Sequence, residues 1–269
     1  MSLRVMTYNI LDGGKNREAH ILEVIQTAKP DIVILQEVLT EEFLQLLSQS
    51  LGMNYRIGQG NKKRKVALLS RLPVISFRSY HPVFPIWRNF IDAKIEYKLN
   101  TTIRIIGVHL IANLGIFFEI WRLWETKYIL NHIRDSKNEF CLIAGDFNAV
   151  APKDKVIIEN MPNWLKWMIY LQGNRVYHFS IGRLLSAGFT DSFRFLNSED
   201  GFTLPPPNPN SRLDYIFVNT KLKTYLKKCW VEQEAKNVNL ASDHYPVIAE
   251  FSFTNRRGQK QTLASRTTT

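Results

Sequence analysis

The sequence predicts a layered α/β fold in which one domain spans residues 1–254. Short runs rich in β-branched and aromatic residues alternate with stretches of helical periodicity along the whole chain. The sequence shows no repeat with a period of about 20–50 residues and no linker between domains. The composition, 45% hydrophobic and 22% charged, excludes a disordered or collagen-like chain. We therefore expect helices that shield a strand-rich core.

Eight segments of the chain are predicted to be β-strands. Each is a short, mainly apolar run that contains β-branched or aromatic residues. In chain order they are Arg4–Ile10, Ile32–Gln36, Val66–Ser70, Ile91–Tyr97, Ile103–His109, Phe140–Ala144, Tyr215–Asn219 and Val247–Phe253. Helices fall between some of these strands, which is the order expected when helices cover a mixed sheet.

Two helices are predicted in the first fifth of the chain. The first covers about Arg17–Ala28, where apolar residues recur at helical spacing, and it ends before Pro30. The second covers Glu41–Gln49 and is closed by Gly52. Both are expected to turn their apolar side toward the strands.

A third helix, predicted for about Phe117–Arg134, has two stripes of large residues. The stripe predicted to face the core is Ile116, Ile120, Leu123 and Leu130, and the aromatic stripe beside it is Phe117, Trp121, Trp124 and Tyr128. A long insertion, residues 149–187, contains a short helix that begins at Pro162 and carries Trp164 and Trp167. These Trp-rich elements either pack on each other as a satellite core or form an exposed lip for a membrane or for nucleobases.

The positive charge of the chain is concentrated in one segment. Lys and Arg total 35 against 24 Asp and Glu, a net charge of +11, yet residues 43–91 contain no acid at all. This segment favours an anionic partner, although such a run also suits a solubilising surface. The residues predicted to bind the substrate are Lys62, Lys63, Arg64, Lys65 and Arg71. A second basic segment, residues 255–269, is predicted to be a disordered tail.

Neither an export signal nor a membrane span is predicted. The chain passes from Met-Ser-Leu-Arg directly into a strand-like run. Its longest lipid-like segment, residues 114–120, is far shorter than the ~20 apolar residues that cross a bilayer. Cys141 and Cys229 suit buried thiols in a reduced interior better than a disulfide. A monomeric, cytoplasmic protein is expected.

Polar residues stand at the ends of the predicted strands, where burial in a core does not explain them. They are Asn9, Glu37, His109, Asp146, Asn148, Asp214, Asp243 and His244. Because strand-end loops of a layered α/β domain commonly converge on one rim, we expect these side chains to share a cleft. A set so rich in oxygen ligands suits a hard ion such as Mg²⁺ or Mn²⁺.

The motifs that the chain lacks narrow its chemistry. It has no Cys-x-x-Cys or His-Glu-x-x-His zinc motif, no Walker loop and no Gly-x-Ser-x-Gly elbow. Taken singly, each strand-end residue also has a structural interpretation, such as a turn for Asn9 or an interior histidine for His109. The set as a whole favours metal-assisted hydrolysis.

The order of seven short motifs along the chain is specific. They are Thr7–Ile10, Leu35–Val38, Leu69–Arg71, Val108–Leu110, Gly145–Ala149, Arg212–Phe217 and Ser242–Pro246. This order resembles that of the endonuclease/exonuclease/phosphatase superfamily, and the resemblance covers about Val5 to Phe253. It implies a four-layer α/β sandwich, with two mixed β-sheets packed face to face and helices outside. It also implies a metal-dependent phosphoesterase site on the rim that the sheets share.

The resemblance assigns the metal and the attacking water to one group of residues. Glu37 would hold the metal, with Asn9 and Asp243 near it or joined to it through water. Asp146 and Asn148 would orient the attacking water and a phosphoryl oxygen. The metal would neutralise charge and lower the pKa of bound water.

The resemblance assigns proton transfer to the two histidines. His244, held in one tautomer by Asp214, would act as a base or stabilise negative charge on phosphorus. His109 would donate to the leaving oxygen or to a non-bridging oxygen, as in the deoxyribonuclease I and sphingomyelinase-like branches. The deoxyribonuclease I branch pairs the counterpart of His109 with an acid from a region that is the acid-free segment 43–91 here, so another partner, or none, is expected for His109.

A further departure concerns the branch that acts on abasic DNA. Its members carry an acid two residues after the first asparagine and a tyrosine in place of His109. In this chain Leu11 occupies the first of these positions, and Asp12 follows one residue later. The abasic-DNA branch is therefore disfavoured.

Three functions remain open from the sequence. The first is a Mg²⁺-dependent phosphodiesterase that cuts nucleic acid endonucleolytically, which the basic segment favours. The second is a phospholipase-C/sphingomyelinase-like or inositol-phosphate phosphoesterase, which the Trp-rich elements favour. The third is a non-catalytic binding module, which is disfavoured because a binder has no need of both histidines.

Overall fold

The computed structural model describes residues 2–59, 64–81, 88–98 and 101–253. The strands are β1 (Ser2–Asn9), β2 (Ile32–Val38), β3 (Asn54–Ile57), β4 (Lys65–Ser70), β5 (Val74–Tyr80), β6 (Phe90–Lys98), β7 (Thr101–His109), β8 (Phe140–Asp146), β9 (Thr190–Asp191), β10 (Asp214–Val218), β11 (Leu226–Val231) and β12 (Val247–Ser252). The α-helices are α1 (Glu18–Ala28), α2 (Glu41–Leu51), α3 (Ile116–His132), α4 (Asn163–Leu171), α5 (Phe179–Ser186), α6 (Ser192–Leu196), α7 (Thr220–Lys223) and α8 (Val238–Ala241).

The described strands form two mixed sheets of six strands each. The strand order is β11-β12-β1-β2-β4-β3 in the first sheet and β5-β6-β7-β8-β10-β9 in the second. The pairs β1–β2 and β7–β8 are parallel, and the other pairs are antiparallel. The predicted α/β sandwich of two mixed sheets is confirmed.

Three apolar layers hold the sandwich together. Between the sheets, residues such as Ile34 and Ile105 pack into one buried cluster. A second cluster, which includes Val24 and Leu47, lies between the first sheet and α1 and α2. A third joins the second sheet to α3 and α5 through residues such as Ile181. Because both faces of the central strands are covered, all seven residues of β2 are buried and its sequence is continuously apolar or uncharged up to its end.

The sequence did not predict the strands β3, β5, β9 and β11. All four are edge strands, and β3, β5 and β11 have several exposed residues, so their sequences lack a continuous apolar run. In β11 the exposed Lys227 and Lys228 lie beside each other at a register shift, which removes the period-two pattern. The fourth, β9, has only two residues.

The predicted orientation of the third helix is wrong. The residues of α3 that are buried are Glu119, Arg122, Glu125, Thr126 and Ile129. The predicted core stripe is instead exposed at Ile120 and only partly buried at Ile116, Leu123 and Leu130. Polar contacts with other elements set the rotation of the helix: Glu119 accepts hydrogen bonds from Ser180 of α5, and Glu125 accepts one from the main chain after β7.

The satellite-core interpretation of the Trp-rich elements is also wrong. Trp124 of α3 is 50% exposed, and Trp164 and Trp167 of α4 are 58% and 65% exposed. Their aromatic rings therefore do not form a buried cluster between the two helices.

Two sequence expectations fall on parts of the chain that lie outside the described residues. They concern the basic tail at 255–269 and the lysines Lys62 and Lys63. Within the described residues, no helix combines the length and the apolar character needed to cross a bilayer.

Gly145 allows β8 to approach β7 at the point where both strands end. A Cβ atom at this position would lie 1.9 Å from the main-chain oxygen of Val108 in β7. A backbone atom in a paired strand cannot yield as a flexible side chain can. Only glycine therefore fits here without separating the strands.

We expect Gly145→Ala to lower the free energy of unfolding by at least ~2 kcal/mol, because the added methyl group overpacks this contact. Urea titration followed by circular dichroism measures the change. The matched control is Gly182→Ala in α5, where an added Cβ would meet nothing within 4 Å. This change should raise stability by ~0.5–1 kcal/mol. Equal stability of the two variants would contradict the argument.

Candidate active site between the sheets

Three neighbouring strands of the second sheet bring three polar residues to one rim. In the strand register His109 of β7 is opposite Asp146 of β8, and Asp146 is opposite Asp214 of β10. The pairing extends past the strand ends, since the main-chain N–H of Leu110 donates to the Asp146 carbonyl over 2.9 Å. All three side chains are buried. Strand pairing alone therefore fixes their order along the rim.

The first sheet contributes Asn9 and Glu37 from the ends of two parallel strands. Asn9 Nδ2 donates to Asp146 Oδ2 over 3.0 Å and to Glu37 Oε1 over 3.4 Å. Glu37 adopts φ 64°, and the register between β2 and β4 shifts at this point. The Asn9 amide thus joins the rims of the two sheets.

The loop between α8 and β12 places Asp243 and His244 on the same rim. Ser242 Oγ donates to the main-chain oxygen at the end of β1 over 2.7 Å and accepts from the His244 N–H over 3.3 Å. His244 Nδ1 lies 2.8 Å from Asp214 Oδ2. Because an ionised carboxylate only accepts, Nδ1 carries the proton and donates. This leaves Nε2 of His244 on the side of Asp146, 3.9 Å from Oδ2.

Asn148 is held in a turn directly after β8. Its φ of 49° lies in the left-handed region, which asparagine tolerates better than most residues. Its main-chain N–H donates to Asp146 Oδ1 over 2.8 Å, and its side-chain Nδ2 donates to the Leu110 oxygen over 3.1 Å. Both ends of the residue are therefore fixed beside Asp146.

His109 is buried between the carboxylates of Asp146 and Glu37. Its Nε2 is 3.6 Å from Asp146 Oδ2 and 3.9 Å from Glu37 Oε1. Its Nδ1 is buried without a hydrogen bond to any of the described residues. Burial, followed by the positive charges of Arg88, His244 and Arg64, holds the pKa of His109 well below its usual value. His109 is therefore a neutral imidazole.

The proton distribution around Asp146 and His244 is set by their mutual proximity. Burial, aided by the charge of Asp214, raises the pKa of Asp146 to about 7 against the opposing effects of His244 and of its hydrogen bonds. Burial alone would lower the pKa of His244. The attraction of Asp214, Asp146 and Asp243 outweighs it and raises that pKa to about 10. At neutral pH the site thus holds an imidazolium beside a carboxyl group poised to ionise.

The structure brings some of the predicted substrate-binding cations to this rim and not others. Arg64 reaches into it, with Nε 3.2 Å from Glu37 Oε2. Lys65 begins β4 at the same end of the sheet. Arg71 lies at the opposite end of β4, where its guanidinium donates to the main-chain oxygens of Pro30 and Leu51. The prediction that Arg71 binds substrate at this rim is therefore wrong, because a structural role already engages its side chain.

Two site residues were missed by reasoning from the sequence. Asp12 donates its main-chain N–H to Glu37 Oε2 over 3.0 Å and binds Arg64 Nη2 through Oδ1 over 2.6 Å. Leu11 and Asp12 both have positive φ, which turns the chain after Asn9 back toward Glu37. The sequence did offer a signal for Asp12, because it is the acidic residue nearest to Asn9 along the chain. Ser242 had no such signal, since its role is a hydrogen bond to the main chain.

An apolar cavity of about 340 Å³ opens beside the rim. Its walls come from the insertion after β8 and from the segment before β10. The residues that define its position are Asn148 and Asp243 on the rim and Pro162, Trp164, Leu165 and Tyr177 in the insertion. The insertion therefore contributes to a compartment next to the polar residues of the rim.

The donor atoms on the rim fit a hard divalent cation. Asp146, Asp214 and His244 each have one candidate ligand atom, and these three atoms lie within 4.8 Å of one another, although His244 would have to lose a ring proton to bind a cation. Asp214 Oδ1 is buried without a hydrogen bond to any described residue. On the first sheet a cation already lies beside Glu37, namely the Arg64 guanidinium. Carboxylate oxygens predominate in both places, as Mg²⁺ and Mn²⁺ require.

The predicted metal set and the arrangement on the rim differ in one respect. Asn9 and Glu37 are in contact, as the prediction of a shared site requires. Asp243 shares a hydrogen bond with Ser242 over 3.3 Å instead, and it is partly exposed at the cavity. Its part in holding a metal remains a prediction.

We expect the stability of the metal-free protein to fall as the pH rises above neutrality. The folded state binds the His244 proton more tightly than the unfolded state does. The stabilisation that this proton provides is therefore complete below pH 6.5, the usual pKa of histidine, and is lost as the pH rises toward about 10. The Asp146 carboxyl group also lowers stability as the pH rises, between pH 3.8 and about 7, because burial resists its ionisation. Urea titrations in chelator across this range measure the free energy of unfolding.

The control for this pH dependence is Asp214→Asn. Without the Asp214 charge the pKa of His244 should fall, and the decline of stability above neutral pH should become shallower. A wild-type stability that increased with pH in this range would show that the His244 pKa is not raised.

Comparison with known proteins identifies relatives over most of the chain. Residues 6–244 match the Endonuclease/Exonuclease/phosphatase family. A protein named exodeoxyribonuclease III from Haemophilus influenzae is 27% identical over 288 aligned residues, which cover 93% of this chain and 100% of that protein.

Two solved structures share the fold of this chain. An AP endonuclease from Archaeoglobus fulgidus superposes with a TM-score of 0.74 at 19% identity, covering 93% of this chain and 99% of its own. The 3' phosphatase NExo from Neisseria, bound to a product DNA hairpin, gives 0.72 at 21% identity, covering 93% and 100%. The match over residues 6–244 shows that this chain belongs to the Endonuclease/Exonuclease/phosphatase family.

Proposed function

We propose that this protein is a phosphodiesterase that uses Mg²⁺ or Mn²⁺ and cuts nucleic acid endonucleolytically. The observation that carries the proposal is the buried pair of Asp214 and His244 beside Asp146, at the rim where Asn9 and Glu37 arrive from the other sheet. A binding module would gain nothing from burying an imidazolium and a strained set of carboxylates together, since their burial is costly. A reaction that develops negative charge on phosphorus uses both.

Each residue of the rim has a role that follows from its proton and its position. Asp146, whose pKa is near neutrality, orients the attacking water and accepts its proton. His244 carries a proton on Nε2 as well as on Nδ1 and so stabilises charge on the phosphoryl oxygens. Neutral His109 donates a single hydrogen bond to a substrate oxygen, and Asn148 holds another. A divalent ion held by Glu37 and Asn9 would neutralise phosphate charge and lower the pKa of bound water.

Nucleic acid as the substrate is supported by charge and by relatives. Arg64 and Lys65 lie at the rim, where they can contact a phosphate backbone without reading its sequence. The Haemophilus influenzae relative is named an exodeoxyribonuclease, and the Neisseria structure holds DNA. The combination of Leu11 and His109 still argues against a preference for abasic sites. We therefore propose cleavage of undamaged strands.

The test of the Asp214–His244 pair is a double-mutant cycle. His244→Ala and Asp214→Asn should each lower kcat for plasmid nicking by on the order of 10²- to 10⁴-fold. The double variant should be no worse than the poorer single variant, because the two residues act as a unit. Circular dichroism confirms folding of each protein. Multiplying losses in the double variant would show that the residues act independently.

The test of the metal site uses Arg64, which competes with a cation for Glu37. Arg64→Gln should bind Mg²⁺ a few-fold more tightly in calorimetric titrations, because Glu37 and Asp12 lose their ion pairs with Arg64. The same variant should bind duplex DNA more weakly, with a shallower salt dependence. Arg71→Gln, at the far end of β4, is the control and should change neither property. Unchanged Mg²⁺ affinity in Arg64→Gln would place the metal away from Glu37.

A second candidate substrate class is a lipid or inositol phosphoester, which the apolar cavity next to the rim favours. A cavity of about 340 Å³ lined by Leu165 and Tyr177 suits the apolar part of a phosphoester better than a phosphate backbone. Hydrolysis of plasmid DNA, RNA, sphingomyelin and inositol phosphates with Mg²⁺ decides between the classes. Cleavage of lipid or inositol phosphate without cleavage of either nucleic acid would overturn the first proposal.

A further inference from the structure

The polarity of the helix α3 is reversed: its buried side is mainly polar and its exposed side is mainly apolar. Its buried side carries Glu119, Arg122, Glu125 and Thr126, and its outward side carries Phe117, which is 80% exposed. A helix on the surface of a globular protein has the opposite polarity. An outward aromatic side therefore needs an explanation other than the packing of the core.

The buried polar residues of α3 fix this orientation. Arg122 Nη1 donates to the main-chain oxygens of Ile111 and Asn113, over 3.0 and 2.7 Å. Glu125 Oε2 accepts from the Ile111 N–H over 3.0 Å. Rotation of the helix would leave these buried groups unpaired, which is more costly than leaving apolar side chains in water. The helix thus cannot bury its aromatic side against its own core.

The helices α4 and α5 also expose apolar side chains, and hydrogen bonds join both regions to α3. The main-chain N–H of Ile116, at the start of α3, donates to Gln172 Oε1, directly after α4, over 2.8 Å. On α5, Ser180 donates through its N–H and Oγ to Glu119 over 2.8 and 2.7 Å. The helices are therefore tied together. We name their exposed apolar side chains the aromatic face, which consists of Phe117, Ile120, Trp124, Trp167, Leu171 and Phe179.

The exposed charges on α3, α4, α5 and residues 172–178 have one sign. The two acids of α3, Glu119 and Glu125, are both buried. The helices α4 and α5 contain no acid, and residues 172–178 between them contain none either. Lys127, Arg175 and Arg183 are exposed on the same elements, and Lys127 lies over the Trp124 ring at 5.2 Å from its centroid. The three helices, all of them fully described, thus present aromatic rings and cations without an exposed carboxylate.

We propose that the aromatic face docks the protein on the surface of an anionic phospholipid bilayer. Tryptophan and tyrosine prefer the headgroup region, where their apolar bodies are buried and their polar edges remain wet. Cations at the rim of such a face gain energy from anionic headgroups. Ile120 and Leu171 distinguish this occupant from nucleic acid, because aliphatic side chains do not stack on bases. The inference does not depend on which phosphodiester the protein hydrolyses.

The test is sedimentation with vesicles made of equimolar phosphatidylglycerol and phosphatidylcholine. Wild-type protein should sediment with these vesicles and much less with pure phosphatidylcholine. The triple variant Phe117→Ser/Trp124→Ser/Trp167→Ser should bind at least ~10-fold more weakly, because it removes the apolar contacts. Lys127→Glu/Arg183→Glu should bind about fivefold more weakly for each cation lost, with a reduced salt dependence.

The matched control is Phe195→Ser. Phe195 is an exposed aromatic residue of α6 with Lys223 4.2 Å from its ring centroid, which resembles the pairing of Trp124 with Lys127. This variant should bind vesicles like the wild type. All variants should keep their circular dichroism spectrum and their cleavage of a soluble substrate, because none of the substituted residues belongs to the rim. If only the triple variant fails to fold, the two-cation variant decides the outcome, because it changes no apolar residue.

Quenching of tryptophan fluorescence by lipids with brominated chains reports insertion directly. Wild-type protein should be quenched, and the triple variant should be quenched substantially less. Wild-type protein that neither sediments with anionic vesicles nor is quenched overturns the proposal. A wild-type dimer that the triple substitution dissociates, or duplex binding that it abolishes, would assign the face to a second copy or to nucleic acid instead.

Discussion

The carboxylate of Asp146 is the contact on which the geometry of the whole rim depends. It ends the central strand β8 and accepts a hydrogen bond from Asn9 of the opposite sheet over 3.0 Å. It is opposite His109 and Asp214 in the strand register and approaches Nε2 of both histidines. The position of one sheet over the other is therefore coupled to the polar groups of the rim through this buried side chain, and a small slip between the sheets would separate them.

The electrostatics of the site follow from this crowding. Several acids and a histidine share a volume from which water is largely excluded, so each protonation state depends on its neighbours. Arg64 and His244 supply the positive charge that keeps the acids together in the absence of a metal ion. Such an arrangement is costly to fold and is stabilised by the apolar layers on both sides of each sheet. The chemistry and the stability of the protein thus reside in different parts of the sandwich.

The sequence was sufficient for the fold class and for the strands in the centre of the sheets, because continuous apolar runs such as that of β2 have a physical signature. The strand-end residues Asn9, Asp146 and Asp214 were predicted to converge because strand ends share a rim. The orientation of α3 was not predictable in this way, since the hydrogen bonds that Arg122 donates to, and Glu125 accepts from, the loop before the helix outweigh its apolar periodicity. Tertiary contacts also explain why the sequence could not separate Arg64, which lies at the rim, from Arg71, which binds main-chain oxygens at the other end of β4.

The inverted polarity of α3 has a consequence for how this protein can change over time. The groups that hold the helix in place point inward, so substitutions on its outward side leave the folding free energy almost untouched. Affinity for a surface can then be gained, tuned or lost through single exposed positions such as Phe117 without approaching the stability threshold that constrains most sequence change.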